Sequence, residues 1–144
     1  MTHARKKIST NPRFWLIRFA PRRTKWADIV ARGVFSLRGV KSTVARKHLR
    51  AMQLGDRVLF YQTEQNQAIM GEMEVVRVAY PDPSSADPQW VTCDFSPIRS
   101  FLTPVSLAII KSSMLLCESP IVRQPRVAVL ALSDAVYHAV GQLA

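Results

Sequence analysis

Gly55-Asp56-Arg57-Val58-Leu59-Phe60-Tyr61-Gln62-Thr63, then Glu64-Gln65-Asn66-Gln67, then Ala68 through Tyr80 up to Pro81-Asp82-Pro83, is the stretch whose reading decides the fold. Leu54-Gly55-Asp56-Arg57 is a turn signal. Val58–Thr63 is dense in β-branched and aromatic residues, and residues 64–67 are a polar break. Two extended runs joined by a short polar segment predict a β-hairpin. Period-2 alternation puts Val58, Phe60 and Gln62 on one face and Leu59, Tyr61 and Thr63 on the other. Gly71 inside the second run predicts a bulge or a close backbone approach.

Working outward, Phe14–Phe19 is a first strand, with Phe14, Leu16 and Arg18 on one face and Trp15, Ile17 and Phe19 on the other. Pro21 ends it. Thr24 is placed to cap a short helix to Arg32, which Gly33 stops. Val34 to Ser42 reads as irregular, with a turn at Gly39. Ser42 or Thr43 caps a helix to about Gln53. Its Ala45, Leu49 and Met52 face the core, while Arg46, Lys47 and Arg50 lie off that stripe. Gln89–Arg99 returns as a strand, and Thr103-Pro104 opens a helix through Ile110. Arg126–Leu132 is a buried strand, and Ser133 caps a last helix, Asp134 to Leu143. Five or six strands with three or four short helices predict an α+β domain: a small mixed, mostly antiparallel barrel or sheet with peripheral helices.

The 144 residues suffice for one domain, with residues 1–11 as a flexible basic arm and 12–144 as the folded unit. No apolar run approaches the roughly 18–20 residues that cross a bilayer. The first residues lack the apolar centre of a secretory signal, which predicts a cytoplasmic protein. Residues 1–57 hold 15 Lys/Arg against two acids, a net of +13, whereas residues 58–144 hold five against eight, a net of −3. So uneven a field attracts polyanions, nucleic acid first and an anionic membrane surface second. Arg5-Lys6-Lys7 could touch phosphates, but Arg46, Lys47 and Arg50 sit on a rigid helix and are the better phosphate-binding candidates.

Catalytic signals are missing. There is no phosphate-binding glycine loop, and Cys93 and Cys117 have no metal spacing and read as reduced thiols. His3, His48 and His138 are scattered. Glu72 and Glu74 share a strand face without the partners that an acid–base site needs. These absences predict a binding module without cofactor, metal or obligate protein partner, and not an enzyme.

Several strings, taken in order, carry a resemblance. Phe14-Trp15-Leu16 is similar to Tyr-Trp-Leu. Leu37-Arg38-Gly39-Val40-Lys41-Ser42, with Ala45-Arg46 and Leu49-Arg50 behind it, is similar to Trp-Asp-Gly-Val-Arg-Asn and its helix. Gly55-Asp56 through Phe60-Tyr61-Gln62-Thr63 is similar to Gly-Asp…Phe-Tyr-His-Ser. Glu74-Val75-Val76-Arg77 with Ala79-Tyr80-Pro81-Asp82-Pro83, and Arg123-Gln124-Pro125-Arg126-Val127-Ala128-Val129, complete the set. Over Phe14 to Leu143 the chain resembles the EVE domain family of the PUA-like group.

The resemblance implies a PUA-like small mixed β-barrel flanked by short helices. It also implies a domain that binds RNA or DNA and holds a modified base in a pocket, or else a small-molecule or nucleotide sensor without polymer binding. The resemblance matches Trp15, Gly39, Val40, Tyr61, Arg123 and Gln124 to the family's pocket or its supporting motifs, and Arg18, Lys41, Ser42, Gln62 and Thr63 complete the expected ligand-binding set. An aromatic wall with hydrogen-bonding groups suits a splayed base. Leu37 in place of Trp, Lys41-Ser42 in place of Arg-Asn and Gln62-Thr63 in place of His-Ser imply a different ligand or a weakened pocket. Trp26 or Phe35 could replace the lost stacking surface.

Overall fold

The computed structural model describes residues 11–64 and 66–144. Arg5-Lys6-Lys7 and nearly all of the expected arm lie outside the described residues. In chain order the elements are β1 (Phe14–Phe19), α1 (Trp26–Arg32), β2 (Phe35–Ser36), α2 (Thr43–Ala51), β3 (Arg57–Gln62), β4 (Ala68–Pro81) and β5 (Val91–Ser106). They continue with α3 (Leu107–Ser112), α4 (Pro120–Arg123), β6 (Val129–Leu132) and α5 (Asp134–Leu143). The strands form one mixed sheet in the order β2-β5-β4-β3-β1-β6. The expected hairpin is β3–β4, antiparallel, with Phe60 opposite Gly71. β1 lies parallel to β3, pairing Arg18 with Tyr61 and Phe19 with Gln62.

Both faces of β1 and β3 are covered, because both alternating sets of their side chains are apolar. Trp15, Ile17, Val58 and Phe60 enter one core with Trp26 and Ile29 of α1 and Ala45 and Leu49 of α2. Phe14, Leu16, Leu59 and Tyr61 enter a second core with Ile110 of α3, Ile121 of α4 and Tyr137, Ala139 and Val140 of α5. Each fully buried side chain of this size contributes roughly 1.5–3 kcal/mol, so the two cores carry the fold. Gly71 makes the close approach expected of it. A Cβ there would lie 2.3 Å from Trp26 Cζ2 and 2.5 Å from the Arg99 carbonyl oxygen.

Several expectations are corrected. The sheet is not closed into the barrel that the resemblance implies: β2 and β6 are its two ends and do not pair. Thr103-Pro104 does not start a helix. β5 runs on to Ser106, because the Ala68 end of β4 offers partners to Val105 and Ser106. The register jumps from Ser100 to Val105, and Pro104, which has no N–H to give, falls in that irregular stretch. The helix begins at Leu107 instead, where the Ser106 hydroxyl accepts from the Ile109 N–H at 3.2 Å. Thr24 does not cap α1. Lys25 holds that position without a side-chain bond, and the Thr24 hydroxyl donates to the Arg23 carbonyl. β6 starts at Val129 and not at Arg126. The Val127 and Ala128 carbonyls just before it accept instead from Arg18.

Asp56 fastens the centre. It is 1% exposed. Its Oδ1 accepts from the Arg13 N–H at 3.1 Å, and its Oδ2 from Trp15 Nε1 and the Gln53 N–H, each at 3.0 Å. Its own carbonyl accepts from the Val75 N–H at 2.9 Å. One side chain thus joins the start of β1, the exit of α2 and the start of β3. Replacing Asp56 with Ala leaves three donors unpaired and is expected to cost about 2–4 kcal/mol in a urea titration, since each orphaned buried donor is penalised. A loss below about 0.5 kcal/mol would contradict this role.

Candidate nucleic-acid interface

A cavity of about 380 Å³ opens where the end of β1 meets α1 and β2. Local sequence shapes it. Gly33, at φ +77, ends α1 in the left-handed region that a Cβ disfavours and turns the chain back. Phe35 can then pair with Phe95 of β5. Phe19, Ile29 and Phe35 form apolar walls, and Arg23, Arg32 and Arg38 bring three guanidinium groups. The Phe19 and Phe35 rings meet edge to face, with centroids 5.1 Å apart. The Arg23 guanidinium lies over the Phe19 ring, 4.8 Å from its centroid. Among the described residues no carboxylate lines this cavity.

Two hydroxyls line it as well, and both protons are already directed into the protein. Ser36 Oγ donates to Asp94 Oδ1 at 2.6 Å and Thr24 Oγ1 to the Arg23 carbonyl at 2.7 Å. Toward a ligand these oxygens act as acceptors, while the arginines act only as donors. Tyr80 joins the same carboxylate, its hydroxyl donating to Asp94 Oδ1 at 2.5 Å. Burial, and then this bond, push the Tyr80 phenol above its usual range. The Arg77 guanidinium stacks on the Tyr80 ring at 3.6 Å.

Asp82 anchors the loop that carries Arg38. Its Oδ2 accepts from the Gly39 N–H at 2.7 Å, with Gly39 at φ +70. Its Oδ1 accepts from the Ser84 N–H at 2.8 Å and the Ser84 hydroxyl at 2.6 Å, and Arg38 Nη1 lies 3.7 Å away. Burial pushes the Asp82 carboxyl up. The hydrogen bonds from Ser84 and Gly39 and the charge of Arg38 outweigh it and hold the group below its ordinary value of 3.8.

The residues expected to bind a ligand are not brought to one place. Trp15 is buried in the core with its Nε1 on Asp56. Val40 is buried, Gly39 is held by Asp82, and Ser42 caps α2 through the Ala45 N–H. Lys41 is exposed. Gln62 sits beside Phe19 in the register, and the Thr63 N–H donates to the Phe19 carbonyl at 3.0 Å. Tyr61 and Arg18 line a different cavity, on the other face of the sheet. Arg123 is exposed and pairs with Glu118, and the Gln124 carbonyl accepts from Arg18. Of the expected phosphate-binding residues, Arg46 and Arg50 each donate to the Gln89 carbonyl, at 3.3 and 2.5 Å, and Lys47 is exposed.

None of the side chains lining the large cavity was among those expected sites. Phe35 alone was considered, as a stacking substitute. The available signal was the spacing of Arg23, Arg32 and Arg38 around a short helix with one apolar side. The other substitute, Trp26, lies under Gly71 and donates from Nε1 to Ser100 Oγ at 2.9 Å. Leu37, standing where the resemblance has Trp, is core at 3% exposed.

The EVE domain profile matches residues 13–143. The chain belongs to the EVE domain family. Human thymocyte nuclear protein 1 is 35% identical over 89 residues, which cover 51% of this chain and 40% of that protein. The chain thus matches well under half the length of that curated relative. An Agrobacterium tumefaciens protein of known structure superposes with a TM-score of 0.88 at 27% identity, over 91% of this chain and 92% of that one. Human THYN1 protein, solved in complex with 5-methylcytosine containing DNA, superposes with a TM-score of 0.82 at 25% identity, over 91% and 96%. The mixed α+β fold of this EVE domain is therefore the one expected from its sequence landmarks, except that its sheet is open. Among its described residues no helix is long and apolar enough to cross a membrane.

The Asp82 geometry sets a pH dependence. Its folded-state carboxyl lies below the unfolded value near 3.8, so its stabilisation is complete above that pH and is lost as pH falls through the folded value. Replacing Asp82 with Asn should lower stability at neutral pH and flatten the acid limb of the stability–pH curve, followed by denaturation from pH 7 to 2. An acid limb of unchanged slope would contradict it.

Proposed function

We propose that this EVE domain binds nucleic acid and seats one splayed, modified base of DNA or RNA in the Phe19–Phe35 cavity. The observation that carries the reading is that cavity itself: aromatic walls, three guanidinium groups and no lining carboxylate, within about 380 Å³. That volume falls in the roughly 300–1,000 Å³ range of small-ligand sites. Bases stack on aromatic faces and on guanidinium planes, and Ser36 and Thr24 offer acceptors for an exocyclic amine. The relative solved with 5-methylcytosine containing DNA supports a modified base as the ligand class.

Phosphate contacts fall to Arg23 and Arg32, which have no ion pair among the described residues, and to Lys47 with the free donors of Arg46 and Arg50. The site expected near Tyr61-Gln62-Thr63 shifts in this reading to the neighbouring end of β1, with Gln62 beside Phe19. Residues 1–11 are read as a basic arm and 12–144 as the single domain. No catalysis is proposed. Burial, and then Asp94, push the Cys93 thiol up to about 12, so it is no nucleophile at neutral pH. A cytoplasmic location belongs to the same reading, although the similar human protein is nuclear by name.

Fluorescence anisotropy with short single-stranded and duplex oligonucleotides, modified and unmodified, tests the reading across salt concentrations. Replacing Arg32 with Gln should weaken binding for every sequence and lower the slope of log K against log salt by about 0.7–0.9, the value of one phosphate contact. Phe35 also packs in the core. Replacing it with Leu, which keeps most of the volume, should cost about tenfold in affinity for the modified base, since stacking on one aromatic is worth ~1–3 kcal/mol. Salt-independent affinity would remove the electrostatic part. Stabilisation by free nucleosides but by no oligonucleotide would replace the reading with a small-molecule sensor.

A further inference from the structure

Arg18 and Phe19 are adjacent on β1 and so point to opposite faces of the sheet. Phe19 walls the cavity already described. Arg18 walls another, of about 170 Å³, between β1, β3, α3 and α4. The Arg18 side chain is buried, at 8% exposed for the residue. Nη1 donates to the carbonyls of Gln124 and Val127, each at 2.8 Å, and Nη2 to that of Ile121 at 2.5 Å. The Tyr61 ring centroid lies 5.1 Å from the guanidinium carbon. A guanidinium has five N–H donors. Two of those on Arg18 have no protein partner among the described residues.

No carboxylate pairs with Arg18 among the described residues. Carbonyl dipoles orient the group without neutralising it, and a buried charge without a counter-ion is unfavourable. A second cation, Lys111 of α3, lines the same cavity. The rest of the lining includes hydrocarbon from Leu107, Ile121 and Val122. The Tyr61 hydroxyl is committed to Gln67 Oε1 at 2.8 Å and does not supply the anion.

We propose that this cavity is a second ligand site, taking a small carboxylate with a hydrocarbon body. The carboxylate meets the free N–H groups of Arg18 in the planar fork that suits guanidinium, with Lys111 beside it. The body lies against Leu107 and Ile121. A nucleic-acid chain does not fit so small a space, and a bare phosphate would leave oxygens unpaired against apolar walls. The site is independent of the base-binding cavity and occupies the other face of the same strand.

Benzoate is the probe, with benzamide as its uncharged counterpart and inorganic phosphate as the compact anion. In amide NMR spectra of the full chain, benzoate should give saturable shifts at Tyr61, Leu107, Lys111 and Ile121 in the millimolar range. Benzamide should bind about tenfold more weakly, the loss expected when one strong charge-assisted contact is removed. Lys111 is exposed and outside the core, so Lys111→Gln should stay folded and weaken benzoate about threefold, as expected for losing one screened surface charge. Any of three outcomes overturns the proposal: no saturable shift at these residues, benzamide or phosphate binding as well as benzoate, or shifts confined to Phe35 and Arg32.

Discussion

The structure depends on one geometric constraint, the placement of β1 beside β3 with both faces of each strand buried. A strand projects successive side chains to opposite sides, so every residue of this pair commits to one core or the other. Trp15, Ile17 and Phe60 go one way and Leu16, Leu59 and Tyr61 the other. A one-residue slip would bury Arg18 where Phe19 stands and break both cores at once. Asp56 holds the register at the start of the strands, because the Arg13 and Gln53 N–H groups and the Trp15 indole all converge on one carboxylate.

The same alternation separates two kinds of chemistry within two residues. Phe19 faces an open, electropositive cavity with aromatic walls. Arg18 faces a smaller, mostly hydrocarbon one. The basic N-terminal half is therefore not one uniform patch. Arg13, Arg46 and Arg50 donate to backbone carbonyls and act largely as struts, and Arg18 spends three of its five donors in the same way. Arg23 and Arg32 line the open cavity and have no ion pair among the described residues. A charge count shows the excess; the hydrogen-bond partners show which part of it can reach a ligand.

Local signals were legible. The hairpin, the face assignment of β1 and β3, the Ser42 and Ser133 caps and the Gly33 stop all depend on residues within a turn or two of one another. Thr103-Pro104 was misleading because a helix-start signal competes there with strand pairing to β4, and the pairing wins. The site was less legible. Leu37, where family resemblance pointed to a stacking residue, is core at 3% exposed; Phe19 and Phe35 are core as well, at 7% and 6%, but they line the open cavity and Leu37 does not.

The sequence by itself determined the family, the alternation of the central strands and the charge asymmetry, because periodicity, capping residues and composition are properties of neighbouring positions. Only the tertiary structure decided which arginines are free and where cavities open. The carbonyls that hold Arg18 lie 103 to 109 residues away, and the one that holds Arg50 lies 39 away. Whether a guanidinium becomes a strut or a ligand contact depends on those acceptors, and no local pattern around the arginine encodes where they will be.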